Sequence, residues 1–347
     1  MEATNWDTSA LKHLIVHYVG SKNNAEPLRL SQAALQPHAE LAQQLTDGFL
    51  HRFKSGAEIY AFHHASSLQY NEVYNYCKTL FEDATQFEET AGAMARHLYE
   101  ASTHPKVKGG EFYITLFEGV PVESRLYKAI GLFKTENKAL FLDVTDSNGN
   151  LALDMKEGVE LTKIDKGCLI VNRNVEEGFD VFLFDNQNRG EEALYWKETF
   201  LGLAPQKNSF HHTAHLLTLT KQFITGQPED ALEKKDQAEL LNKSLNYFSE
   251  RETFDIDEFQ TEVFGNDDMI NSFRQFGAKY VESHDYDIAS NFDISTEAVK
   301  KGAKVYKSVL KLDKNFHVYI HGRTDLIERG TDEDGRKYYK LYYQDES

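Results

Sequence analysis

The chain has 347 residues, 41% of them apolar, and a formal net charge of −17. That length allows two domains, and a charged fraction of 27% is that of a folded chain rather than a disordered one. No apolar run reaches 18 residues, the N-terminus lacks a basic segment followed by an apolar one, and two cysteines make no disulfide framework, so the expected setting is a reducing cytoplasm with no membrane partner.

Residues 11–19 (LKHLIVHYV) are rich in β-branched side chains and predict a first strand. The segment after Ala33 has helical spacing at Leu41, Leu45, Phe49 and Phe53, and EIYAFHH (58–64) predicts a short strand. Two helices follow over 70–82 and 85–103. The second has apolar residues at Phe87, Ala91, Met94 and Leu98 and stops at HPKVKGG.

The middle of the chain changes character. GEFYITLFEG, ESRLYKAIGLFKTEN, KALFLDVTDSNGN, LALDMKEGVELTKID, GCLIVNR and GFDVFLFDNQNRG all read as strands, split by turn chemistry such as Asn148-Gly149. Short connections between successive strands imply antiparallel pairing, because parallel pairs need long crossovers. The expectation is a sheet of about five or six strands.

From Glu191 helical patterns return: EEALYWKETFLG, NSFHHTAHLLTLTKQFITG, PEDALEKKDQAELLNKSLNYFSE, DIDEFQTEVFG and DDMINSFRQFGAKYV. The tail, 303–343, predicts three strands: KVYKSVLKLD, FHVYIHG and RKYYKLYYQ, with DEDG as the turn before the last. The fold class expected is therefore α+β. A helical N-terminal lead with a largely antiparallel central sheet fills 1–200. A helical segment with a small basic β-meander fills 201–347.

Motif searches exclude several chemistries. There is no G-x-x-x-x-G-K-[ST], G-x-G-x-x-G or G-x-S-x-G, so phosphate cradles and nucleophile elbows have no support. His211 and His215 have the i,i+4 spacing of zinc proteases, but His212 stands where the general base Glu belongs; the plainer reading is a polar helix start with solvent-facing imidazoles. VTDSNGN and TDEDG lack the twelfth-position Glu of a calcium loop and read as turns. Glu233-Lys234-Lys235 resembles the E-x-K element of metal-dependent nucleases, yet falls in a helical pattern rather than on a strand. No catalytic residue, metal or cofactor is expected.

One basic concentration remains. Residues 300–323 hold Lys300, Lys301, Lys304, Lys307, Lys311, Lys314 and Arg323 against Asp313 alone. On a strand over 303–312, Lys307 and Lys311 share a face with Val305 and Val309. The bland reading is an edge strand guarded by lysines; the functional one is a DNA phosphate contact that acts locally although the whole chain is acidic. Tyr306, Tyr338 and Tyr339 could stack on exposed bases, or pack in the core or across strands.

GEFYITLFEGVPVESRLYKAIGLFKTENKALFLDV, followed by LTKIDKGCLIVNRNVEEGFDVFLFDNQNRGEEALYWKETFLG, resembles the bacterial 37-kDa nucleoid-associated proteins. The order of parts also fits, from the N-terminal helices to the Asn-initiated helix at 208–226. The resemblance implies a bacterial protein of the cytoplasm and nucleoid that associates with DNA, without a cofactor or an established active site. It assigns no DNA-contacting residue. Expected partners are double- or single-stranded DNA, DNA-processing enzymes, and further copies of the chain. The alternative is a module that recruits such enzymes without touching DNA.

Overall fold

Residues 166–171 (KGCLIV) are buried along their whole length, although alternate side chains of a strand point to opposite faces. Both faces of the central sheet must therefore be covered, and they are. The computed structural model describes residues 6–53, 58–147, 150–186, 195–228, 232–284, 287–304, 306, 309–312, 315–319 and 326–344; of 283, 284 and 309–311 it describes the backbone alone. The chain divides into two units, Met1–Gln206 and Lys207–Ser347.

The first unit is built on strands β1 (Ala10–Val19), β2 (Leu28–Arg29), β3 (Tyr60–Phe62), β4 (Gly110–Val122), β5 (Arg125–Thr135), β6 (Ala139–Ser147), β7 (Asn150–Gly158), β8 (Lys166–Val171), β9 (Asp180–Asp185) and β10 (Leu203–Pro205). Eight of them form one antiparallel sheet in the order β10-β3-β9-β8-β5-β4-β1-β2. Its α+β class and antiparallel pairing are as the sequence predicts. Its membership is not: β6 and β7 pair only with each other, as a separate two-stranded ribbon, and β1, β2, β3 and β10 complete the sheet instead. Between Phe117 and Val120 the β4–β5 register shifts, and Gly119 there has φ +71°. A Cβ at that glycine would collide with the Thr8 carbonyl, so only glycine fits the bulge.

Helices α2 (Glu72–Glu82) and α3 (Phe87–Ala101) cover one face of the sheet. Phe87, Ala91, Met94 and Leu98 of α3 are buried there with Phe112, Ile114, Ile130, Leu132, Cys168 and Ile170. Helix α1 (Ala39–Leu50) covers the other face, where the Phe49 ring stacks on Phe133 at 4.3 Å, among Phe53, Leu169 and Val171. Asn71 caps α2: its side chain accepts from the Tyr74 amide at 2.9 Å and donates to the Leu201 carbonyl at 2.9 Å. The predicted helix over 191–202 is, in its described part, one π-helical turn, Tyr195–Phe200, with Trp196 fully buried.

The second unit holds α4 (Ser209–Thr225), α5 (Lys234–Glu250), α6 (Ile256–Phe264), α7 (Asp267–His284) and α8 (Thr296–Ala303) around an aromatic core that includes Phe223, Tyr247, Phe248, Phe254, Phe259 and Phe273. Strands β11 (Thr253–Asp255) and β12 (Asn291–Asp293) pair within it. The tail is two hairpins rather than a three-strand meander: β13 (Val309–Leu312) with β14 (Phe316–Tyr319), and β15 (Ile327–Thr331) with β16 (Lys337–Leu341). The unpredicted strand is β15, IERGT, whose single buried apolar residue, Ile327, packs against Ala238 of α5.

Candidate nucleic-acid interface

The basic stretch begins on a helix, not on a strand. Ser295 caps α8, its hydroxyl accepting from the Ala298 amide at 3.3 Å, and Ala298 and Val299 bury the inner side. Lys300 and Lys301 then occupy the last turn and Lys304 the C-cap, all three exposed. Positive charge at a helix C-terminus is favoured by the orphan carbonyls there. The Lys301 ammonium lies 4.7 Å from the Phe210 ring centroid. Among the described residues, no carboxylate lies within ion-pairing distance of Lys300, Lys301 or Lys304.

Residues 303–312 do not form the one strand the sequence predicts: residues 296–303 are helical and β13 spans Val309–Leu312. The cap at Ser295 and the short amphipathic run TEAVKKGA outweigh the strand propensity beyond them. Lys311 is placed by its backbone in β13; Lys307, Lys314 and Arg323 lie outside the described residues. Tyr306 is no stacking platform. It is buried, its hydroxyl donates to the Leu217 carbonyl, and burial pushes its phenol far up. Tyr339 is partly buried against Ile327, whereas Tyr338 is exposed.

Sequence reasoning passed over Lys337 and Lys340. Both are exposed on β16, beside Tyr338, and the Lys340 ammonium lies 5.0 Å from the Tyr342 ring. The signal was present in RKYYKLYY, a basic and aromatic alternation. Acidic neighbours temper this hairpin: Glu328 stands opposite Lys340 in the register, and Arg336 pairs with Asp332 at 3.1 Å and Asp334 at 2.6 Å.

His211 and His215 do come together, ring centroids 4.3 Å apart, but His211 is buried rather than solvent-facing. Burial first, then His215, His212 and Lys207, lowers its pKa to about 4. No group of three or more His, Cys, Asp or Glu among the described residues could hold a metal. Glu233, Lys234 and Lys235 open a helix, and Glu233 pairs with Arg329 at 3.5 Å. TDEDG is the β15–β16 turn, closed by the Asp332 carboxylate accepting from the Arg336 amide at 2.7 Å. In the first unit a groove of about 900 Å³ is lined by His63, His64, Tyr70, Arg96 and His97, among others. Its His97 is already engaged, against the Glu72 carboxylate and 3.0 Å from the Phe200 carbonyl.

The family model of nucleoid-associated protein YejK (NA37) matches residues 15–335, nearly the whole chain. The chain belongs to this family. The likeness seen in the central strands thus extends through both units of the NA37 chain, α8 and the first tail hairpin included. A search of curated proteins found no match. As an NA37 protein the chain has a nucleoid-associated role. No helix of the described residues is long and apolar enough to cross a membrane.

Proposed function

We propose that this protein binds DNA directly and non-enzymatically, through phosphate contacts with little sequence selectivity. The observation that carries the reading is the exposed group of Lys300, Lys301 and Lys304 at the end of α8, with no ion-paired carboxylate among the described residues. The reading extends the contact surface to Lys307, Lys311, Lys314 and Arg323. Lysine is a compact, flexible partner for phosphate; base-edge reading favours Arg, Asn or Gln in fixed bidentate geometry. A net charge of −17 opposes the approach of a polyanion at long range, but at physiological salt the repulsion beyond roughly 8 Å is screened.

A second reading draws on the same acidity. A strongly negative surface suits recruitment of a basic DNA-processing enzyme, with no DNA contact by this chain. A gel-shift series with single- and double-stranded DNA separates the two. Direct binding predicts a shift at low salt that weakens steeply as salt rises. No shift even at low salt, with a DNA enzyme co-purifying, would favour recruitment and overturn the first reading.

A further inference from the structure

The β6–β7 ribbon does not cover itself. Alternate residues of paired strands share a face, so the register Leu142↔Met155 and Val144↔Leu153 puts six apolar side chains, Leu140, Leu142, Val144, Leu151, Leu153 and Met155, on one side, with Asp146 opposite Leu151 and Glu157 opposite Leu140 at the two ends of that side. All six are between 56% and 78% exposed. The opposite side is of another kind. There Asp143 faces Asp154, Lys156 pairs with Asp143, and the Phe141 ring lies over Gly158, where an added Cβ would be 2.8 Å from it. A two-stranded hairpin alone is marginal in water and needs a layer on its apolar face.

We propose that the apolar face of the β6–β7 ribbon packs against the same face of a second copy of this chain, forming a two-fold symmetric dimer. Three observations select a second copy over a different partner. First, the centre of the face is self-complementary: a two-fold contact sets each patch on its own duplicate, and six aliphatic or thioether side chains meet their like, with Asp146 and Glu157 left at the polar rim. Second, the centre of the face has the composition of a homodimer core, apolar, with its two carboxylates confined to the ends. Third, the area suffices. With on the order of 100 Å² of apolar surface per side chain, the six expose roughly 400 Å² per copy. Two copies then remove about 800 Å² through these side chains alone. The ribbon edges and flanking backbone bring the total toward the roughly 1,000 Å² that a specific interface needs. The inference is independent of the DNA-contact reading, because none of these residues belongs to the basic stretch.

The test is sedimentation equilibrium of the full chain from 1 to 50 µM, without DNA. The parent is expected to be dimeric, and Leu142→Lys with Leu153→Lys to be monomeric across that range with an unchanged circular dichroism spectrum. Leu142→Thr with Leu153→Thr, which places strand-favouring β-branched residues there, should raise the dimer dissociation constant at least tenfold and covers the case in which the charged pair impairs folding. Thr145→Lys, on the opposite face, should leave the dimer intact. A parent that is monomeric at 50 µM overturns the proposal and leaves the face to another protein or another part of the chain. A parent dimer that survives both double substitutions overturns it as well.

Discussion

Two pairs of lysines occupy opposite surroundings in one acidic chain. Lys134 and Lys166, in the first unit, are completely buried. The Lys134 ammonium is 3.0 Å from a Glu136 oxygen and 2.6 Å from the Lys108 carbonyl. Lys166 is 3.3 Å from the other Glu136 oxygen and 3.8 Å from Asp185. The Tyr195 hydroxyl donates to Glu136 at 2.9 Å, and its ring lies 5.7–5.8 Å from both ammonium groups. Burial lowers the Lys134 pKa, against the pull of Glu136. Burial also raises that of Glu136, but the two lysines and the bonds from Lys134 and Tyr195 outweigh it and leave the carboxyl below its usual range. Lys300 and Lys301, in the second unit, are exposed on a helix end. The first pair is spent on holding β5, β8 and the π-helical turn together. The second remains available to an outside anion. A lysine count in the sequence cannot tell these apart; the register of each strand and the cap of each helix can.

The largest expected effect breaks the buried pair. Glu136→Gln leaves two desolvated ammonium groups without their shared carboxylate and should destabilise the protein by about 3–5 kcal/mol, read by urea unfolding. A loss below about 1 kcal/mol would show that water reaches the cluster.

A second, smaller effect applies the same rule to the other unit. The folded pKa of His211 is about 4 against an ordinary 6.5, so on acidification the unfolded chain takes the proton first. This contribution to stability is complete above about pH 6.5 and declines as pH falls toward 4. At about 1.4 kcal/mol per unit, and allowing for partial solvation, it amounts to about 2 kcal/mol. His211→Leu should flatten unfolding free energy against pH across that window; an unchanged profile would assign the acid loss to other groups.

The smallest effect on stability sharpens the contrast. Lys300→Glu, Lys301→Glu and Lys304→Glu together remove favourable charge from one helix end and should cost no more than about 1–2 kcal/mol, read as a shift in the urea midpoint. A loss as large as that of Glu136→Gln would mean that these lysines are structural too.

Much of the fold is legible in the sequence because its elements are locally consistent. The α3 spacing, the β-branched alternation of β4, β5 and β9, and the turn chemistry between them each point one way. What is not legible is which alternating runs join the sheet. LFLDVT in β6 alternates like its neighbours, and nothing in its period says that its apolar face leaves the sheet uncovered. Strand β15 escapes notice because Glu328, Arg329 and Gly330 hide one buried Ile. The helix that carries Lys300 and Lys301 had a readable start, Ser-Thr-Glu, that the β-branched residues after it obscured. The buried lysines leave only a faint trace, as charges at inward positions of GLFKTEN and DKGCLIV.

The account turns on whether the exposed lysines meet phosphate. Its most direct test is the salt dependence of DNA affinity, log K against log salt, for the parent and for the Lys300→Glu, Lys301→Glu, Lys304→Glu variant. Each phosphate contact contributes a slope of about −0.9, so the variant should bind more weakly with a slope flatter by about 2 to 3. Equal affinity and equal slope in parent and variant would contradict the account.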